Sequence, residues 1–170
     1  ESLKRDLSSL PEQGKQEAVK EIVRKDLSSV TVKASRFVIA AYLFGAKYAN
    51  GINISEIPFD NDVHLIIAKY LNSKKLLDEK VQTSELFEFF EEKTPEYDEL
   101  CKILDLNDGN TLSNETSERY FEDCVLKLRL KFIDGQIAAL KTICESESDV
   151  AKRKENALRL QELIKQKEKL

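Results

Sequence analysis

Between residues 117 and 145 the apolar positions Leu126, Leu130, Ile133, Ile137, Leu140 and Cys144 recur at alternating steps of four and three. That is the 3.5-residue spacing of a coiled-coil seam. The run holds no proline and one glycine, so the pattern predicts one long helix with a partner. Its first half carries a second apolar row, Phe121, Cys124, Val125, Leu128 and Phe132, which predicts burial over about half the circumference there. The second half is apolar on one stripe only. Such a helix is expected to leave a globular bundle and project from it. At about 1.5 Å per residue it spans roughly 45 Å, too long for one small core to cover.

Residues 149–170 supply the expected cover. They are rich in Ala, Leu, Glu, Gln, Lys and Arg, the strong helix formers. Ser146 and Ser148 are suitable N-caps and Asp149 suits the first turn. Val150, Ala157, Leu160 and Ile164 form the expected inward row. A short loop between two such helices predicts an antiparallel hairpin. Leu158, Leu163 and Leu170 fall off that row and are expected to face outward.

Upstream, Leu3, Leu7 and Leu10 stand at helical spacing, and Pro11 opens a second helix, 11–27, burying Val19, Ile22, Val23 and Leu27. Residues 1–31 thus form a helical leader or the end of a preceding domain. After a break at Ser28-Ser-Val-Thr comes the most apolar helix, about 33–49, with Phe37 to Phe44 apolar on every side, hence central. Asn50-Gly51 is its expected stop. Residues 52–59 contain Pro58 and predict an extended connector without a sheet. Asp60 or Asn61 caps helix 61–77, which turns Val63, Ile66, Ile67, Tyr70, Leu71 and Leu77 inward. Helix 84–92 brings Leu86, Phe87, Phe89 and Phe90. Thr94-Pro95 opens helix 95–106, a turn follows at 107–110, and Ser113 or Asn114 leads into the long helix. The fold class is all-α: a globular multi-helix bundle over 32–128, then a C-terminal helical hairpin over 129–170.

The chain has 170 residues, 41% hydrophobic and 34% charged, which suits one domain with an appendage. It has no methionine, even at its start, so it is expected to be a piece of a longer protein. No signal peptide or membrane-length apolar run is present, and a soluble, cytoplasmic protein is expected. Cys101, Cys124 and Cys144 are odd in number and far apart, hence reduced structural residues, since zinc would need close pairs.

Net charge is −4, unevenly spread. Residues 1–49 hold nine Lys and Arg against six acids, residues 50–123 seven against eighteen, and residues 124–170 eleven against seven. An acidic middle argues against an extended duplex-DNA footprint, which needs a basic stripe. The basic end suits an acidic protein partner.

Catalytic signatures are missing. None of the five glycines lies in a phosphate loop, dinucleotide fingerprint or nucleophile elbow. His64, the single histidine, lacks the lysine close behind it that a phosphotransfer bundle would use, and is expected to be a surface or half-buried structural residue. The acids Glu91, Glu92, Glu96, Asp98 and Glu99 are expected on outward positions, without a histidine or cysteine beside them. No metal or cofactor is expected.

The run from Tyr120 to Lys141, YFEDCVLKLRLKFIDGQIAALK, resembles a segment of bacterial DnaG-type primases in which an acid-cysteine-x-x-x-leucine stretch leads into a basic-leucine run and a helical hairpin. The upstream order is similar: an apolar helix from Phe37 to Phe44, a connector ending at Phe59, and a helix with the Ile66-Ile67 pair. The resemblance covers residues 33–170, the helicase-binding domain of that family. It implies a non-catalytic module that docks on the N-terminal domain of the hexameric DnaB-type replicative helicase. The globular part would stimulate the helicase and the hairpin hold it, with the parent's zinc-binding domain and metal-dependent polymerase core lying elsewhere.

On that reading Leu158, Arg159, Leu160, Leu163, Ile164, Lys167 and Leu170 form the docking surface, an apolar centre with a basic rim that Lys165 and Lys169 extend. The hairpin is thinly apolar, so each contact is expected to be weak and avidity to compensate. Gly135, in mid-helix, is the expected hinge. The alternatives are an unrelated helical adaptor that dimerises, weakly or tightly, through its hairpin, and phosphotransfer through His64.

Overall fold

The computed structural model describes residues 30–107, 112 and 116–170. The expected leader up to Ser29, most of the 107–110 turn and the helix start at Ser113 or Asn114 lie outside the described residues. The chain divides between Lys33 and Ala34 into two units, and only the last four residues of the first are described. Six α-helices and no strand occur among the described residues, so the chain is all-α.

Helix α1, Val30–Leu43, is central: Val38, Ile39, Ala40 and Ala41 are wholly buried. Its bounds differ from the expected 33–49. It starts within the presumed break and stops at Leu43, because Gly45 takes a left-handed φ of 69°. There Ala46 N–H reaches back to the Ala41 carbonyl at 2.8 Å and Gly45 N–H to that of Tyr42 at 3.2 Å. This is a Schellman ending, for which glycine is suited by its missing Cβ. A 3₁₀ turn, Lys47–Gly51, carries the apolar pattern onward and buries Ala49.

The connector contains a second 3₁₀ turn, Ile54–Glu56, capped by the Asn53 side chain, and plants Ile54, Ile57 and Phe59 in the core. Tyr42 donates its hydroxyl to the Ile52 carbonyl at 2.5 Å, tying the connector to α1. Helix α2, Asp62–Leu76, begins at Asn61, whose Oδ1 accepts from Val63 N–H (2.9 Å) and His64 N–H (3.4 Å). Val63, Ile67, Tyr70 and Leu71 turn inward, but Ile66 and Leu77, expected inward, are 38% and 66% exposed. The place expected of Ile66 goes to His64, which shares the face of Ile67, Ala68 and Leu71.

Residues 84–92 form less helix than expected. Helix α3, Thr83–Leu86, tightens into a 3₁₀ turn, Phe87–Phe89. Leu86 and Phe90 are buried while Phe87 and Phe89 face out. Helix α4, Pro95–Leu104, has Thr94 as its cap, Oγ1 accepting from Tyr97 N–H at 3.2 Å.

The long helix α5, Ser117–Ser146, closes the body through Phe121, Cys124, Val125 and Leu128. The Tyr120 ring stands edge-on to Phe37 at 4.7 Å, and Tyr48 packs at 5.3 Å on Phe121. Phe132 is an exception to the expected second row, being 46% exposed. Beyond it Ile133 and Leu140 are buried yet lie outside the main core. Helix α6, Val150–Glu168, packs on this half of α5.

At the heart of the body lies a buried ion cluster. Arg36 on α1 grips Glu99 on α4 with two hydrogen bonds, Nε to Oε1 and Nη2 to Oε2, both 2.6 Å. His64 on α2 lies 2.9 Å from Oε1 through Nε2. His64 and Glu99 are each 1% exposed. Both expectations for these residues are therefore corrected: Glu99 is not on an outward face and has a histidine beside it, and His64 is fully buried. Burial raises the Glu99 pKa, but the hydrogen bonds from His64 and Arg36 and the Arg36 charge outweigh it and hold it at about 2. An ionised carboxylate only accepts, so His64 donates from Nε2.

Because this pKa lies below the ordinary value of 4.5, the stability Glu99 contributes is complete above pH ~4.5 and is lost as pH falls through about 2. Urea unfolding across that range should show a steep acid limb. Glu99→Gln should flatten it and cost about 3–5 kcal/mol at pH 7, because the substitution breaks a buried ion pair and its charge-assisted hydrogen bonds. An unchanged urea midpoint at pH 7 would show the cluster to be idle.

Candidate interaction surface

Helix α6 is specified locally by its start. Asp149, not Ser146 or Ser148, is the N-cap: its Oδ1 accepts from Ala151 N–H (2.8 Å) and Lys152 N–H (3.3 Å). Ser146 is still the last residue of α5. Arg153 donates through Nε (3.0 Å) and Nη2 to the Glu147 carbonyl. The turn between the helices is thus three residues long and tied at both sides.

The inward row of α6 differs by one residue from the expected one. Asn156, Leu160 and Leu163 are half-buried, and Lys167 reaches across to Asp134 on α5 at 2.6 Å. Val150, Ala157 and Ile164 are exposed, Val150 to 77%. The steps 156, 160, 163, 167 keep the four-three rhythm of α5, whereas 150, 157, 164 lie along a neighbouring ridge. Both rows contain or adjoin Leu160, so the pattern alone did not separate them.

The seven expected docking residues are consequently divided. Leu160, Leu163 and Lys167 hold α6 to α5. Leu158, Arg159 and Ile164 face solvent. Leu170, 45% exposed, borders a cleft of about 270 Å³, where Phe132, Ile133 and Arg129 of α5 meet Pro58 of the connector. An ion pair between Lys131 and Asp60, 2.8 Å, straps the connector to α5. Helical spacing sets Leu158 in line with Lys154, Gln161, Lys165 and Lys169. None of these lysines has an ion-pair partner among the described residues.

His64 is buried against Glu99, so its ring is out of reach of a phosphodonor. Cys124 is buried, with its thiol pKa raised by burial. Cys101 and Cys144 are half-buried and unbridged. No group of three or more potential metal ligands gathers among the described residues, and no helix among them is long and apolar enough to cross a membrane. No protein-family model, curated protein or solved structure matches the chain.

Gly135 sits on the exposed side of α5, which runs through it without a break. A Cβ built there meets nothing within 4 Å. Gly135→Ala should therefore stabilise the protein by about 1 kcal/mol and raise the melting temperature by roughly 2–4 °C. Calorimetry tests this, and NMR relaxation of the α6 amides tests the hinge. A hinge requires α6 to lose mobility in the variant; equal relaxation beside a higher melting temperature leaves only a tolerated glycine.

Proposed function

We propose that this chain is a non-catalytic docking domain of a bacterial DnaG-type primase. It would bind the N-terminal domain of the hexameric DnaB-type replicative helicase and so bring primer synthesis to the replication fork. The observation that supports this best is the free face of α6. It offers an exposed leucine, Leu158 at 55%, among lysines, on a helix already anchored by its opposite side. A partner's acidic helical hairpin would cover the leucine and meet the lysines at the rim. The resemblance of Tyr120 to Lys141 to the primase segment, and the order of elements before it, support the same assignment.

On this reading the chemistry of priming belongs to the rest of the parent protein, in the cytoplasm. The body carries the hairpin and presents its own surface to the helicase. Each contact is thin, so several primases on one ring would hold by avidity rather than by a single strong joint. Dimerisation by hairpin against hairpin is disfavoured by charge. Residues 150–170 hold seven Lys and Arg against three acids, so two such helices repel.

Titration calorimetry against the helicase N-terminal domain of the same organism tests the proposal, with a chain truncated at Asp149 and a Leu158→Asp variant alongside. Truncation exposes Ile133 and Leu140, so the point variant, with an unchanged circular dichroism spectrum, is decisive. Binding should be lost on truncation and weakened at least about tenfold by Leu158→Asp, a loss of roughly 1.4 kcal/mol. No binding by the intact chain at a few hundred micromolar, on the order expected of a weak single contact, would overturn the assignment.

A further inference from the structure

The body carries exposed aromatic rings of its own, each packed on one side against a tyrosine (Phe87 on Tyr97, Phe89 on Tyr70), in a segment opposite in charge to α6. Phe87 and Phe89 are 37% and 51% exposed, and the Phe87 ring lies 5.5 Å from that of Tyr97 on α4. From residue 85 to residue 98 stand six acids and one base, Lys93. Glu85 is taken by Lys74 at 2.9 Å. Glu88, Glu91, Glu92, Glu96 and Asp98 have no ion-pair partner among the described residues. This surface, with Phe87 and Phe89 exposed, therefore belongs to a segment with five uncompensated carboxylates.

We infer that this face binds α6 of a second copy of the chain. The complement is present in the molecule: the exposed Leu158 in line with Lys154, Lys165 and Lys169. An apolar centre with a basic rim meets an apolar centre with an acidic rim. The chain's own α6 is already packed along α5, so the occupant comes from another molecule. The contact joins two different surfaces, which avoids the repulsion of hairpin on hairpin. It depends on charge and is screened by salt. This inference goes beyond helicase docking and does not require it; where both hold, self-association and the helicase compete for α6.

The test is sedimentation equilibrium of the chain and two surface variants, each checked by circular dichroism. One variant, Glu88→Lys with Glu92→Lys, reverses the acidic face and keeps α6. The other, Lys154→Glu with Lys165→Glu, reverses α6 and keeps the acidic face. The unaltered chain should self-associate at 50 mM salt with a Kd on the order of 100 µM and dissociate at 0.5 M salt. Each variant alone should associate at least about tenfold more weakly. Mixed in equal amounts, they should regain a 1:1 complex through the intact α6 of the first and the intact acidic face of the second. Three results would each overturn the inference: an unaltered chain that stays monomeric at low salt, a first variant that self-associates as well as the parent, or a mixture that stays monomeric.

Discussion

The body is built around one buried carboxylate. Glu99 sits at the crossing of three helices and takes Arg36 from α1 and His64 from α2 on its two oxygens. Apolar surfaces slide over one another at little cost, but a buried carboxylate with a bidentate guanidinium has one low-energy arrangement. Moving α4 along α1 by a single turn would leave a charge without its partner in the core, a change costing several kcal/mol. A buried ion pair adds little net stability over an apolar one, so its consequence here is register: which turn of α4 lies against which turn of α1 and α2. The rest of the body is placed by that choice, including the Phe37 edge that receives Tyr120.

From that platform α5 passes between two environments. Its first half is gripped on a broad face by the core. Its second half depends on α6, which covers Ile133 and Leu140 while burying none of its own residues completely. The two halves are therefore unequal in strength. The body is held by one contiguous buried core, whereas α6 is held by Leu160, Leu163, a half-buried asparagine and one ion pair at Asp134, with few apolar contacts to lose. Gly135 falls within the weaker half, but nothing surrounds it, and the helix is continuous there. Any change in the direction of the hairpin is thus more easily made by loosening α6 than by bending α5. The connector strap at Lys131 and Asp60, and the cleft beside it, lie where such loosening would reach the body.

Much of this architecture was legible in the residues, and the failures share a cause. The existence of α5 as one long helix, the Thr94-Pro95 start and the Asn61 cap follow from local chemistry, because capping and periodicity act over one turn or less. Gly45 leaves no mark in the apolar pattern, which continues beyond it into the 3₁₀ turn, and a hydrophobicity pattern does not register a left-handed backbone. Glu99 lies in a run of acids, and such a run points to solvent. Its burial is a tertiary fact, although a signal existed: Arg36 in the most apolar helix and His64 on the Ile67 face are two polar side chains each needing a buried partner. The expected and observed rows of α6 differ because the helix is so sparsely apolar that two ridges fit nearly as well. A thin seam under-determines its own rotation, and Leu160, Leu163 and the Asp134–Lys167 pair lie on the ridge that faces α5.

That thinness has a consequence for any partner of α6. A strongly apolar outer face would bind tightly but would also compete with the inner face for the surface of α5, letting the helix roll in its seat. Separating the two faces, with Leu160 and Leu163 inward and Leu158 nearly opposite, lets the outer face change without loosening the hairpin. The outer face must then be mostly charged to specify which side is out. Affinity through such a face comes from a small apolar centre and a rim whose strength varies with salt. A domain of this kind suits a partner that offers many equivalent sites at once, since repeated weak contacts exchange individually while the assembly as a whole holds.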